Sequence, residues 1–237
     1  MKPAPGKAAP MGKQRKKIYS HNFVGGNTSM TALLGSEKHS TMAREMLKSA
    51  ATINIVSVAN LIPGQRATVM VKVANVGAGH KLPTGFPEGR EMWVDFKVID
   101  AKNRLVYRLG AIKDGVTEPK TKSFKVVMAD ANGHIVHDDV TKVAQVLYDT
   151  RILPKSYSEV EFTFDVPQDA SGDLTLTADL NYWSYSQQLA DDLLGKNKLR
   201  VPIEKMTSAE KKVNVAAQAR SPSGLAKKLQ VSYIDKQ

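Results

Sequence analysis

The chain carries five histidines, His21, His39, His80, His134 and His137, and no cysteine. An imidazole can bind a metal, carry a proton or hold a hydrogen bond. The lack of cysteine excludes thiol nucleophiles, disulfides and thiolate metal sites. His134 and His137, with Asp138 and Asp139, make the one local cluster of ligand-type side chains. It follows Asn132-Gly133 and reads as a turn, so a solvated polar turn competes with a metal site. His80 has a different setting. It lies in Asn75-Val-Gly-Ala-Gly-His-Lys-Leu-Pro-Thr-Gly-Phe-Pro-Glu-Gly-Arg-Glu-Met-Trp93, where four Gly and two Pro fall between Gly77 and Gly89. Gly admits positive φ, and Pro locks φ and removes a donor, so this composition imposes a shaped loop. A histidine there is either a structural hydrogen bonder or a metal ligand. Asn75, Thr84, Glu88 and Arg90 are neighbours able to organise it. There is no G-x-S-x-G, phosphate loop, H-E-x-x-H, dinucleotide fingerprint or D-x-D-x-D calcium spacing. The chain therefore reads as a non-enzyme.

The elements that must position these residues are mostly strands. From Thr52 onward apolar residues recur with a period of two. The runs are Ile53-Ile55, Ala67-Val73, Met92-Val98, Leu105-Tyr107, Phe124-Met128, Val143-Val146, Val160-Val166 and Leu174-Tyr182. Pro63-Gly64, Asp100 to Asn103, Asn132-Gly133 and Ser171-Gly172 punctuate them as turns. Seven or eight short strands so divided predict an antiparallel β-sandwich over 51–185, with long loops at 75–90 and 129–156. Ile55, Val71, Val94, Phe96, Phe162, Phe164 and Leu176 are the expected core, and Trp93 is expected to join it. Arg151 is expected to pair with Asp149 and pin its loop. Ser36 to Ala50 predicts a helix capped by Ser36, with Met42, Met46 and Leu47 as its stripe and His39 on it. Residues 186–196 predict a helix capped by Ser186, and Met206 to Ala217 a second, amphipathic one. Leu229-Val231-Tyr233 can add an edge strand.

Charge sits at the ends. The formal net charge is +11, yet residues 1–20 hold +6, residues 205–237 hold +5, and 21–204 sum to zero. No stripe of basic and aromatic residues marks a phosphate-tracking surface, so nucleic acid is not an expected partner. Residues 1–17 are rich in Pro, Ala, Lys and Gly and predict a mobile or extended segment. Residues 1–50 as a whole predict an arm that leaves the sandwich and lies along a partner. No apolar run approaches the roughly 20 residues of a membrane-spanning helix. Lys2 to Lys17 lacks the apolar stretch of a signal peptide.

The loop around His80 resembles a segment in the C-terminal, haem-free part of multihaem c-type cytochromes. There a pattern like N-x-G-A-G-H-x-x-P-T-G-x-P-x-x-R-x-x-W sits in an immunoglobulin-like β-sandwich. Ser20-His-Asn-Phe-Val-Gly-Gly-Asn27 and Tyr148-Asp-Thr-Arg-Ile-Leu-Pro154 are similar to two further segments of that family, in the family's order. The resemblance spans roughly residues 20 to 205. One departure is decisive: the family attaches haem through C-x-x-C-H, and this chain has no cysteine to do so.

The resemblance implies an immunoglobulin-like β-sandwich with a short N-terminal arm, one or two C-terminal helices and a basic tail. It implies haem c carried by a partner, a multihaem c-type cytochrome polypeptide, and a place in the periplasm or at the cell surface. It also implies that an imidazole of this chain can complete a haem iron in trans. His21 is the first candidate, beside Phe23 and the Gly25-Gly26 pair, followed by His80 and His39. Two other classes remain open: a stand-alone immunoglobulin-like binding or adhesion module of the cell envelope, and a metal-dependent hydrolase subunit using the His134–Asp139 cluster.

Overall fold

The computed structural model describes residues 3–19, 24–58, 61–87, 89–136 and 139–216. In chain order the elements begin with β1 (Pro3–Lys7), β2 (Gln14–Tyr19), α1 (Thr28–Leu33), α2 (Glu37–Ala50), β3 (Ala51–Val58), β4 (Arg66–Asn75), β5 (Glu91–Ile99) and β6 (Leu105–Leu109). Next come β7 (Ile112–Lys113), β8 (Val116–Thr117), β9 (Lys122–Phe124), β10 (Val126–Ala129), β11 (Ile135–Val136), a 3-10 turn at Val140–Lys142 and β12 (Gln145–Asp149). The last are β13 (Tyr157–Asp165), β14 (Asp173–Trp183), α3 (Gln187–Leu194) and β15 (Glu204–Asn214).

Two antiparallel sheets face each other, in strand orders β13-β4-β3 and β15-β14-β5-β6, with β9 also paired to β5. The period-two patterns dictate this. Along β4, Ala67, Val69, Val71 and Val73 are buried and alternate with more exposed neighbours. Met92, Val94, Phe96 and Val98 of β5 and Leu174, Leu176, Ala178 and Leu180 of β14 meet them from the other sheet. Phe96 stacks on Phe162 across the core, with centroids 4.5 Å apart, and Tyr107 stacks on Phe164 at 5.6 Å. Each buried side chain of this size contributes about 1.5–3 kcal/mol. The chain is thus mainly β, an immunoglobulin-like antiparallel sandwich. Six of the seven expected core residues are buried, and Ile55 is half-buried against them.

Several expectations need correction. Residues 3–19, expected as mobile or extended, are extended and paired as a hairpin, β1 with β2. Residues 24–50 do not leave the sandwich. Leu47 and Ala50 of α2 join its core, Arg44 of α2 pairs with Glu204 of β15 at 3.0 Å, and Ser29 bonds the Tyr185 hydroxyl. The buried stripe of α2 is Ser40, Ala43, Leu47 and Ala50, while His39 and Met46 face solvent. Small residues win that face because the helix lies close to the sheet. Ser36 takes the N-cap position but bonds His39 Nδ1 at 2.6 Å rather than the helix backbone. A helix is expected over Met206 to Ala217; residues Glu204–Asn214 are instead the strand β15, which pairs with β14 at ten positions. Helix α3 appears as expected, with the Ser186 side chain accepting from Leu189 N–H. The edge strand expected at 229–233 lies outside the described residues. No helix among the described residues is long and apolar enough to cross a membrane.

The three-stranded flap β11-β10-β12 and the hairpin β7-β8 project from the β5 side of the sandwich. Trp93 is buried, but on the outer face of its sheet. It packs on Trp183 at 4.8 Å beneath Ala190 and Val201, and donates from Nε1 to Gly110 O at 3.0 Å. Alternation along β5 explains this: Met92 and Val94 point inward, so Trp93 cannot.

Candidate functional site

The loop between β4 and β5 is built from its backbone contacts. Asn75, the last residue of β4, is 1% exposed and anchors the loop by its side chain. Its amide N–H₂ donates to the carbonyls of His80 (2.8 Å) and Ile152 (3.2 Å), and its Oδ1 accepts from Ala78 N–H (3.1 Å). Val76 and Gly77 donate from the main chain to Ala50 O. A Cβ on Gly77 would stand 2.1 Å from Ser49 O, so close approach to the end of α2 demands glycine there. Leu82 and Ile152 exchange two backbone hydrogen bonds of 2.9 Å. The loop is therefore tied to the 148–154 segment at Asn75 and Leu82.

Charge reinforces the tie. Asp149 accepts from Arg151 Nε and Nη2 at 2.8 Å each and from Lys81 Nζ at 2.7 Å. Arg151, and secondarily Lys81, holds the Asp149 carboxyl well below the usual carboxylate range, against some opposition from burial. The pairing expected of Arg151 is thus present. At the loop's far end, Arg90 donates to the Thr84 carbonyl, and Gly85, at φ +97°, leaves room for its guanidinium. Gly26, from the first of the three similar segments, accepts from the Tyr182 hydroxyl (2.9 Å) and Ser184 (3.2 Å). The segments at 24–27 and 84–90 thus meet around Tyr182 and Arg90. The sequence offered no signal for that meeting beyond chain order.

The imidazoles differ in what they offer. His80 is exposed, and its Nδ1 lies 3.0 Å from Lys81 O. A carbonyl only accepts, so the neutral ring carries its proton on Nδ1 and leaves the Nε2 lone pair outward. His39 is exposed on α2, with Nδ1 against the Ser36 hydroxyl, a partner that can donate or accept. His134 is 81% exposed and lies 3.3 Å from Asp130. His21, His137 and Asp138 lie outside the described residues. Among the described residues no group of three His, Asp or Glu is placed to hold a metal ion. A covalently held haem does not fit this chain, which lacks both thiols.

Reasoning from sequence missed one feature. On the outer sheet face, Arg90, Glu91, Lys125 and Trp183 line a cleft of about 250 Å³ between the flap, the β7-β8 hairpin and the start of α3. Only pairing across β5 and β14, which sets Trp183 opposite Glu91, assembles it.

No family model and no curated protein matches the sequence. In shape, 72% of the chain is similar to a penta-haem cytochrome c552 from Thermochromatium tepidum, with a TM-score of 0.55 and 18% identity. The matched part is 41% of that protein, so the chain spans less than half its length. At this identity the likeness concerns the fold alone. More distant likenesses carry no argument: the CARDB domain of a Pyrococcus furiosus protein (13% identity, 70% of this chain, 91% of that one, TM-score 0.27) and a PapD-like domain of human CEP192 (10%, 70%, 83%, 0.27).

Proposed function

We propose that the chain is a haem-free β-sandwich module of a multihaem c-type cytochrome assembly, exported to the periplasm or cell surface and working in electron transfer without catalysis of its own. The observation that carries this reading is the His80 imidazole, exposed and with its Nε2 lone pair directed outward, on a loop anchored by Asn75, Leu82 and Lys81. The fold shared with part of the penta-haem cytochrome supports it. A haem iron bound by a partner polypeptide supplies one-electron transfer; the residues here would cap it and keep water from its edge. Lys81 O holds the ring of His80 in one tautomer. Val76 and Leu153, 59% and 54% exposed, flank the loop with apolar surface suited to a porphyrin edge. His21 and His39 remain the other candidate ligands, His39 with a less determined tautomer.

The test is a visible spectrum of the native assembly. A co-purifying Soret band is expected. In the intact complex, His80→Ala should turn one partner haem from low-spin to high-spin while the sandwich stays folded. Unchanged spectra in the His80→Ala, His21→Ala and His39→Ala variants would leave the chain a covering scaffold without a ligand role. A native preparation lacking any haem-bearing partner would overturn the reading. It would favour a stand-alone immunoglobulin-like binding module instead, for which exposed Val146, Leu147 and Tyr148 of β12 offer a surface.

A further inference from the structure

Among the described residues the β1-β2 hairpin is a two-stranded sheet paired to no other strand. None of its side chains is buried: every residue from Pro3 to Tyr19 is exposed except Gly6, Gly12 and Ile18, which are half-buried. What cover there is comes from within the hairpin. A Cβ on Gly6 would stand 2.8 Å from Ile18 Cδ1, and one on Gly12 would stand 3.1 Å from Ala9 O. A lone hairpin is marginal in water, so this one gains most from a surface outside the chain. Its charge indicates which kind. Residues 1–20 hold no acid. Lys7, Lys13, Arg15, Lys16 and Lys17 are all exposed, whereas the charges of residues 21–204 sum to zero. At the tip the charge stops. Ala8-Ala-Pro-Met-Gly12 is an uncharged turn, closed by Gly12 N–H on Ala9 O at 2.9 Å, and Met11 is 98% exposed. Lys7 and Lys13 bracket that tip.

We propose that the hairpin docks end-on on an anionic lipid surface, with Ala8 to Met11 in the headgroup layer and the lysines and Arg15 on the lipid phosphates. The ladder favours an end-on approach. Lys7 stands opposite Gln14 and Gly6 opposite Arg15, so alternation puts Lys7 and Arg15 on opposite faces near the tip. A folded acidic protein laid against one face leaves the cations of the other unmet. A fluid plane entered by the tip meets both. A nucleic acid fits less well, because Tyr19, the hairpin's one aromatic residue, pairs with Pro3 at the end away from the tip and offers the bases no stacking platform there. Each Lys or Arg near an anionic bilayer adds an attraction that salt screens, and an apolar tip adds shallow insertion. The inference stands independently of any role for His80 and of any haem-bearing partner.

Vesicles of equal parts phosphatidylglycerol and phosphatidylcholine should sediment the full chain at low salt, and vesicles of phosphatidylcholine alone should not. Raising the salt to about 0.5 M should release it. The double variant Lys7→Gln/Lys13→Gln should bind more than about tenfold more weakly, since each charge is worth about fivefold. Met11→Ser, which changes no charge, should weaken binding severalfold. The chain has no cysteine, so Met11→Cys provides a single thiol for a polarity-sensitive dye. On the mixed vesicles that dye should brighten and shift to the blue. The same dye on Asn132→Cys, at the exposed turn between β10 and β11, should not change. No binding to phosphatidylglycerol at low salt, binding indifferent to the two Lys→Gln changes, or a dye at position 11 that stays in water would each overturn the proposal. Binding to duplex DNA or to polyglutamate as tight as to the mixed vesicles, at the same salt, would overturn the lipid assignment.

Discussion

His80 and His134 both extend a ring into solvent and both set Nδ1 against an oxygen, at 3.0 and 3.3 Å. What lies beneath them differs. The His80 loop leaves β4 through a buried Asn75, is bonded to Ala50 at the end of α2, and exchanges main-chain hydrogen bonds with Ile152. His134 caps a turn between β10 and β11, which share only two ladder positions, Met128 with Val136 and Ala129 with Ile135. Its carboxylate partner, Asp130, organises the turn through the N–H groups of Asn132 and His134 and reaches no further. An exposed imidazole of the right tautomer is therefore not enough to make a site. A ligand in trans must be presented at a defined place, and that needs backbone bonds to the core.

The comparison can be broken most forcibly at Asn75. Asn75→Ala removes three hydrogen bonds that anchor the loop, leaving the His80 carbonyl and the Ala78 N–H without their partner while Ile152 O keeps the Leu82 N–H, and should cost roughly 2–4 kcal/mol, read as a lower urea midpoint at constant slope. The equivalent truncation under His134, Asp130→Ala, is expected to cost less than half as much. Equal losses would mean that the two histidines stand on equal foundations.

A pair of glycine substitutions comes next in size. In Gly77→Ala the new methyl meets the backbone of Ser49, which cannot move cheaply, and the loss should fall at the upper end of about 1–3 kcal/mol. Gly133 has φ +86° and open space around it, so Gly133→Ala carries only conformational strain of about 1 kcal/mol. Thermal melts of the two variants check the order.

Acid sensitivity sharpens the contrast further. The carboxyls of Asp149 and Asp130 both titrate below their ordinary value, the first chiefly through the Arg151 side chain and the second chiefly through the backbone N–H of His134. A carboxyl depressed in the folded state stabilises the protein above its unfolded pKa of about 3.9, and that contribution is lost as the pH falls further. Asp149→Asn should flatten the stability curve below about pH 4. Asp130→Asn, at the more exposed turn, should flatten it less. Denaturation midpoints between pH 2 and pH 7 decide between them.

The smallest effect is on the rings themselves. His80→Ala and His134→Ala should each change stability by less than about 0.5 kcal/mol, since neither ring packs. A larger loss in His80→Ala, by urea titration of the isolated chain, would recast that exposed ring as a structural bonder.

Much of the fold was legible because strand periodicity is a property of adjacent residues. Ala67 to Val73 and Leu174 to Leu180 alternate by type, and their burial follows. The expectation of a helix over Met206 to Ala217 has a definite cause. Met206, Ala209 and Val213 are spaced as on a helix face, but all three contact the core from a strand. The register between β14 and β15 skips between Leu180, opposite Thr207, and Asn181, opposite Lys205, so Met206 is an extra residue. That bulge moves the inward face from even to odd positions and leaves a three-residue gap that imitates a helical turn. Nothing local distinguishes the two. The His39 side of α2 was misjudged for a related reason: Ala43 and Ser40, not the larger methionines, are what a close sheet admits.

By itself the sequence determined the central strands β3, β4, β5, β13 and β14, the glycine-rich loop that carries His80, the salt bridge of Arg151 with Asp149, and the exclusion of covalent haem. These follow from composition and from residues near one another in the chain. Only the tertiary structure decided that the 75–90 and 148–154 loops share hydrogen bonds, that α2 closes on the sandwich, and that Arg90, Lys125 and Trp183 meet at one cleft. Each of those depends on which strands pair and in what register, and such long-range choices are set by the burial of whole sheet faces rather than by any short run of residues.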